Sequence, residues 1–375
     1  MRIAIQVSTP KQVHIWKNAI RLLQSRGHEV RLYQRGYHET QAVSGGLGIQ
    51  GEIFGTTRGA GIVRNLELPW MATNLYRKLR KFRPDIVTGV GTYESIGARL
   101  LGVPSIAWND TEHAPSHNFL IRKMATKVLV PRSFQGEQFG EKQVRFDSYL
   151  ELAYLHPDVF TPNPDVLPLI GLEKGDRYAV VRFNSWDATH DVATTGFSDK
   201  DRVELVQRLA KHGKVIVSAE GKVPKEIAPY VLKSQFHRMH DILAFASLYT
   251  GDSGTMQNEA AILGVPSVRY TVLPRDKDRG NSIDLEDRYG LILNLRDVRA
   301  TIETADRFFA DPATNAQWRE RQAKMLAESV NLTPFQAWVL ENYPRSIEEL
   351  VSGKQTTRTI KPTIVTPAQR IIQQR

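Results

Sequence analysis

Apolar runs alternate with amphipathic stretches along almost the whole chain. In the first half "RIAIQV" (2–7), "EVRLYQ" (29–34), "DIVTGV" (85–90), "VPSIAW" (103–108) and "KVLVP" (127–131) read as strands. Helical spacing fills the intervals: about Gln12 to Ser25, ended by Gly27, then "YESIGARLLG" (93–102) and "SHNFLIRKMA" (116–125). Four prolines, Pro157, Pro162, Pro164 and Pro168, mark an extended connection. Beyond it the alternation restarts, with strands "YAVVRF", "KVIVSA", "LYTG" and "SVRY" among helical segments, and long helices from about Val298 to Leu350. Nearly continuous apolar strands between helices are the mark of parallel sheets covered on both faces. The pattern predicts an α/β protein of two doubly wound Rossmann-type domains facing each other across a cleft. Their expected bounds are 1–160 and 161–350, followed by a basic tail over 351–375.

At 375 residues the chain is long enough for two cores. It contains no cysteine, which removes disulfides, thiolate nucleophiles and zinc–thiolate sites, and fits a reducing cytoplasm. No apolar run reaches the roughly 18 residues of a membrane span. The opening residues read as a strand rather than a signal peptide. The formal charge is +10. The segment from Ser352 to Arg375 has five basic residues and no acidic one, a composition expected of a disordered tail. "NLYRKLRKFRP" gathers Arg77, Lys78, Arg80, Lys81 and Arg83. It reads either as a solvated helix face or as a dock for anionic lipid or a phosphate-bearing substrate. Nucleic acid is not expected, because no recognition helix or aromatic-rich sheet motif accompanies the charge.

Candidate chemistry collects just after the predicted strands, where ligands bind in open α/β sheets. "GDSGT" supplies Gly251 and Gly254 for a sharp turn, with Asp252, Ser253 and Thr255, at a helix start suited to phosphate. Glu259 lies one turn beyond Thr255 and can accept hydrogen bonds from a ribose diol; alternatively, these residues only cap a helix. "WNDTEHAPSHN" packs Asp110, Glu112, His113 and His117 into one loop, for catalysis, acceptor binding, structural pairing or a metal. "RFNSWDATHD" offers Arg182 to a diphosphate, Trp186 to a base or sugar face, and Asp187, His190 and Asp191 as cleft lining; Trp186 as core is the plainer reading. "SAEGKVP" adds Ser218 and Glu220. Thr9, Glu94 and His14 follow strand-like segments of the first half, His14 with a capping role as its alternative. The glycine-rich stretch 45–61 reads as a mobile loop over the acceptor side, without the Walker phosphate-loop spacing.

These residues carry a resemblance. "GDSGTMQNEAAILGVPSV" resembles the nucleotide-binding segment of GT-B glycosyltransferases and of UDP-N-acetylglucosamine 2-epimerases. "GVGTYESIGARLLGVPSIAWNDTEHAPSHNFLIRKMATKVLVP" is similar in order to the lipid-linked N-acetylglucosaminyl transferase of peptidoglycan synthesis. "STPKQVHIWKNAI", "NDTEHA", "ELAYLHPDVFTP", "RFNSWDATHD" and "GDSGTMQNEAAILG" together resemble a largely uncharacterised prokaryotic GT-B-superfamily family that commonly occurs with polysaccharide genes. That resemblance runs from about Met1 to Leu350. It implies a GT-B-like fold, a diphosphate held by the small-residue turn and ribose held by Glu259. It also implies a reacting centre faced by His14 and a base or ribose contact near His240. Three features of the relatives are missing: the glycine pair after the first strand, the epimerases' "HRREN"-type segment, replaced by "RFNSWDATHD", and their Gly-Asp pair, since "GVGTYES" has no Asp.

The resulting expectation is a glycosyltransferase that takes a nucleotide sugar, UDP-linked, to a glycan or lipid-linked acceptor in surface polysaccharide or glycoconjugate synthesis. It would need no metal or other cofactor and would work in the cytoplasm, peripherally at an anionic membrane surface. A UDP-sugar 2-epimerase using Glu94, Asp110 and Glu112 is one alternative. A non-catalytic nucleotide- or glycan-binding component is the other.

Overall fold

A computed structural model describes residues 1–56, 62–184 and 196–357, without the side chains of 62–66. The chain forms two compact units, one of 1–160 with the segment from Ser329 onward and one of 161–328.

The first unit opens with β1 (Arg2–Val7), α1 (Pro10–Ser25), β2 (Glu29–Arg35), α2 (His38–Gly46), β3 (Gly51–Gly55) and α3 (Ile62–Phe82). It continues with β4 (Ile86–Gly89), α4 (Tyr93–Leu101), β5 (Ser105–Trp108), α5 (Pro115–Met124), β6 (Lys127–Pro131), β7 (Gln143–Phe146) and α6 (Leu152–Leu155). Among the described residues its sheet has seven strands in the order β3-β2-β1-β4-β5-β6-β7, all parallel. The strand order reverses between β1 and β4, so the loops after these strands flank a topological switch point.

The second unit contains α7 (Val166–Leu169), β8 (Tyr178–Phe183), α8 (Asp199–Leu209), β9 (Lys214–Ala219), α9 (Met239–Ala244), β10 (Leu248–Gly251) and α10 (Gly254–Ile262). It ends with β11 (Ser267–Tyr270), α11 (Gly280–Asp287), β12 (Ile292–Leu295), α12 (Val298–Ala310) and α13 (Ala313–Glu328). Among the described residues its five strands run parallel in the order β12-β11-β10-β8-β9. Local signals set the helix ends. Ser198 and Asp201 form a reciprocal capping box at α8, and Pro10 starts α1 where a missing N–H costs nothing.

The structure corrects four expectations. The glycine-rich stretch 45–61 is not one loop, because its middle forms edge strand β3. There Gln34 Nε2 donates to the Gly51 carbonyl at 3.2 Å, and a Cβ on Gly51 would lie 2.7 Å from Gln34 Cδ. Residues 57–61 lie outside the described residues. Strands β7 and β12 were not anticipated; each is a four-residue sheet edge, short enough to escape a periodicity reading. The long C-terminal helices do not all belong to the second unit. Helices α14 (Leu332–Glu341) and α15 (Arg345–Val351) return to the first, where α14 packs on α1 and α6. Ser148 Oγ donates to the Val330 carbonyl at 2.7 Å, and Phe335 joins Trp108 and Phe146 in an aromatic core. Finally, the tail does not leave the fold at 351. Thr357 is buried and its hydroxyl accepts from the Asp147 N–H at 3.2 Å; residues 358–375 lie outside the described residues.

The basic cluster on α3 has a simple arrangement. Leu75, Leu79 and Phe82 are fully buried in the first unit, which leaves Arg77, Arg80, Lys81 and Arg83 exposed.

Candidate functional site

In the second unit the register places one residue from each strand in a single row. Ser218 pairs with Arg182, Arg182 with Gly251, Gly251 with Arg269, and Arg269 with Asn294. Residues in register on a parallel sheet point to the same face. Gly251 is required at the centre of this row. Its φ is 146°, and a Cβ there would lie 2.0 Å from the Arg182 carbonyl oxygen. Arg182 Nη1 donates to Ser218 Oγ at 2.7 Å and Nη2 pairs with the Glu220 carboxylate, so both residues fix the guanidinium. Asp252 accepts from the Asn184 N–H at 2.8 Å and braces the turn after β8.

Helix α10 starts immediately beyond. Its N-cap, Ser253, makes no side-chain capping bond, and Ser253, Gly254 and Thr255 are half-buried. The first-turn N–H groups have no partner inside the helix, and the dipole adds positive potential there. Tyr249 holds the turn by donating to the Ser253 carbonyl at 3.0 Å; burial pushes its phenol pKa up. One turn further, Glu259 Oε1 and His240 Nε2 are 3.2 Å apart, each side chain about nine-tenths buried. The structure thus joins two residues that the sequence placed separately. A ring nitrogen that holds one carboxylate oxygen also sets the rotamer of the other. Trp186, Asp187, His190 and Asp191 lie outside the described residues.

In the first unit Thr9 is the exposed N-cap of α1. His14, one turn in, is 8% exposed, with its ring centroid 5.5 Å from that of Tyr154 on α6. Asp110, Glu112 and His113 follow β5. Lys11 Nζ lies 2.9 Å from both Asp110 Oδ2 and Glu151 Oε1, and Glu151 is fully buried. Asp110 is thus engaged in an ion pair rather than open to an acceptor hydroxyl. Glu112 accepts from the Gln135 N–H at 3.2 Å, so it braces the loop after β6. His113 and His117 are exposed, His117 Nδ1 lying 3.0 Å from Thr92 Oγ1. Among the described residues no group of three His, Asp or Glu side chains is placed to hold a metal ion.

Lys11, Glu151 and Arg269 were missed. A lysine one residue after a helix-starting proline and a glutamate in "ELAYL" look solvated; the ion pairs form across 99 and 140 residues of sequence. Arg269 had a readable signal, an arginine inside the apolar strand "SVRY".

Glu94 is an acid perturbed by burial. It is fully buried in the first turn of α4, and Oε1 accepts from the Gly91 N–H at 2.8 Å. Oε2 has no hydrogen-bond partner among the described residues. Burial pushes its pKa from 4.5 to about 7. As pH rises through this window the unfolded chain ionises Glu94 while the folded chain retains the proton. Stability therefore falls, by about 3 kcal/mol once pH exceeds the folded value. Glu94→Gln is expected to match wild type in urea denaturation at pH 4.5 and to exceed it at pH 8. An equal difference at both pH values would exclude a buried titrating acid.

No protein-family model matches the chain. A curated relative, the UDP-N-acetylglucosamine–N-acetylmuramyl-(pentapeptide) pyrophosphoryl-undecaprenol N-acetylglucosamine transferase of Tolumonas auensis, is 28% identical over 36% of this chain and 43% of its own length. The chain thus spans less than half of the curated relative it matches. Solved structures match over nearly the whole chain. The MnaA–UDP structure from S. aureus aligns with a TM-score of 0.65 and 11% identity, covering 95% of this chain and 99% of that one. The UDP-GlcNAc 2-epimerase of Neisseria meningitidis bound to UDP-GlcNAc gives 0.61 and 12%, covering 93% and 100%. The Streptomyces sp. SF2575 glycosyltransferase SsfS6 with thymidine diphosphate gives 0.59 and 15%, covering 91% and 99%. The two parallel-sheet α/β units are those of the fold shared by these glycosyltransferases and epimerases.

Proposed function

We propose that the chain is a glycosyltransferase that moves a sugar from a nucleotide-sugar donor, UDP-linked, to a hydroxyl of a glycan or lipid-linked acceptor. The observation that carries this reading is Arg182, fixed by Ser218 and Glu220 beside the uncapped start of α10. That combination is suited to a leaving diphosphate, whose developing charge is met by preorganised donors. Glu259, held by His240, takes the ribose hydroxyls. The first unit serves the acceptor. Its hydroxyl loses a proton to the His14 imidazole as the oxygen bonds the anomeric carbon and the bond from that carbon to the diphosphate oxygen breaks. The relative from Tolumonas auensis supports a lipid-linked acceptor.

An acceptor of that kind also gives the exposed face of α3 a role. A groove of about 370 Å³ between β3 and α3 is lined by Ile53, Trp70, Asn74, Arg77 and Lys78, with Ile53 and Trp70 each 42% exposed. Apolar side chains beside cations suit the surface of an anionic membrane, where the protein would sit peripherally on the cytoplasmic side. No helix among the described residues is long and apolar enough to cross a membrane.

A second reading, a UDP-sugar 2-epimerase, is favoured by the fold shared with the epimerase bound to UDP-GlcNAc. Both readings require nucleotide binding, which thermal unfolding tests. A nucleoside diphosphate or nucleotide sugar at 100 times its Kd should add about 2.7 kcal/mol. No stabilisation across uridine, guanosine and thymidine diphosphates and their sugars would refute both.

A further inference from the structure

We infer that Arg269 is the second cation of the proposed diphosphate site, a positioning residue that fits the start of α10 to two phosphates rather than one. The inference rests on the nucleotide-sugar reading above. Arg269 and Arg182 occupy the same register row and flank Gly251, so both leave the sheet on one face, with a gap between them where Gly251 has no side chain. The Arg269 guanidinium lies directly against the first residue of α10. A Cβ on Gly254 would be 3.3 Å from Nη1 and 3.4 Å from Cζ. Gly254 therefore gives the guanidinium room under the half-buried helix start.

The environment of Arg269 is unusual for a strand residue. Its side chain is only 7% exposed; Nη1 lies 3.2 Å from Asp278 Oδ2 and Nη2 donates to Thr271 Oγ1 at 3.0 Å. Further Nη1 contacts, to Gln257 Oε1 and Asn294 Oδ1, are long at 3.5 Å, and Nε has no hydrogen-bond partner among the described residues. A buried cation costs free energy unless it is paired and fully hydrogen-bonded. Among the described residues this one is paired with the Asp278 carboxylate and left one donor short, so an anion arriving at the adjacent helix start gains from it. Arg269 is enclosed, so it acts through its field and through the position of Gly254. Arg182, with its side chain 18% exposed, makes the direct contact. A monophosphate would engage one side of the row; a diphosphate has charge for both.

The test uses the full chain and isothermal calorimetry with UDP, UMP and uridine. The double variant Arg269→Met/Asp278→Asn removes the cation without leaving a carboxylate unpaired. The variant removes a cation and its carboxylate partner together, so the loss for UDP is the difference of two opposed Coulomb terms, roughly 3- to 10-fold at an effective dielectric constant near 20. A smaller loss is expected for UMP and none for uridine. Arg269→Lys keeps the charge and loses the fork of hydrogen bonds, and is expected to retain most UDP affinity. Gly254→Ala leaves every charge in place but displaces the guanidinium. It should weaken UDP and spare uridine, and it replaces the double variant if that chain does not fold. Equal losses for UDP and uridine, or a lysine variant as weak as the methionine variant, would overturn the inference. If wild type binds UDP and the double variant binds it equally well, the role of Arg269 falls while the nucleotide reading stands. If wild type binds none of the three, both fall.

Discussion

His14→Ala lowers turnover on the order of 10²–10⁴-fold and leaves UDP affinity unchanged, if the imidazole takes the acceptor proton. The expectation follows from the position of His14, one turn into α1 after the β1 loop, in the unit assigned to the acceptor. A histidine is suited to the task because its ordinary pKa lies close to neutral pH. Asp110 is less suited, being held by Lys11 at 2.9 Å. His14 also packs on Tyr154, so a stability loss is expected in the same variant, and the two effects must be read separately. Single-turnover rates with labelled donor, alongside urea denaturation, separate them. An unchanged rate removes His14 from the mechanism. A fall in stability that accounts for all lost activity makes it a packing residue.

Glu259→Gln is expected to weaken UDP binding by roughly 10–150-fold. The change keeps helix propensity and shape while replacing a charged acceptor, and hydrogen bonds to charged groups are worth about 1.5–3 kcal/mol. His240→Ala should lose part of the same affinity, because the ring that holds Oε1 at 3.2 Å is gone. A 2′-deoxy nucleotide should bind wild type more weakly and show little further loss in the glutamine variant. Calorimetry on both proteins with both nucleotides closes the cycle. Independent losses in all four would leave Glu259 as a partner of His240 and nothing more.

Much of this architecture is written in the sequence because parallel strands buried on both faces give unbroken apolar runs. "RIAIQV" and "YAVVRF" could hardly be anything else, and their loops pointed at the residues after the strands. Edge strands fail the same reading: β7 and β12 have four residues each, and β3 sits among glycines. The assignment of α14 to the first unit was not legible either. An amphipathic helix announces that it packs, but not which sheet it returns to, and here it covers α1 beyond an excursion through the whole second unit. The site was legible residue by residue, and its pairings were not. Glu259 and His240, Arg182 and Ser218, and Lys11 with Asp110 are contacts between separate strand ends, invisible until the register is known. Arg269 shows the remaining gap: its charge inside a strand was visible, and only the geometry around Gly254 gives it a purpose.

Glycosyl transfer is tested most directly by following UDP-N-acetylglucosamine with proton NMR in D2O, with and without a lipid-phosphate-linked sugar as acceptor. A transferase gives UDP release that depends on the acceptor, a new glycosidic anomeric signal, and an undisturbed C2 proton in donor incubated alone. Deuterium entering C2 without acceptor, with a second UDP-sugar appearing, would contradict transfer and establish the epimerase.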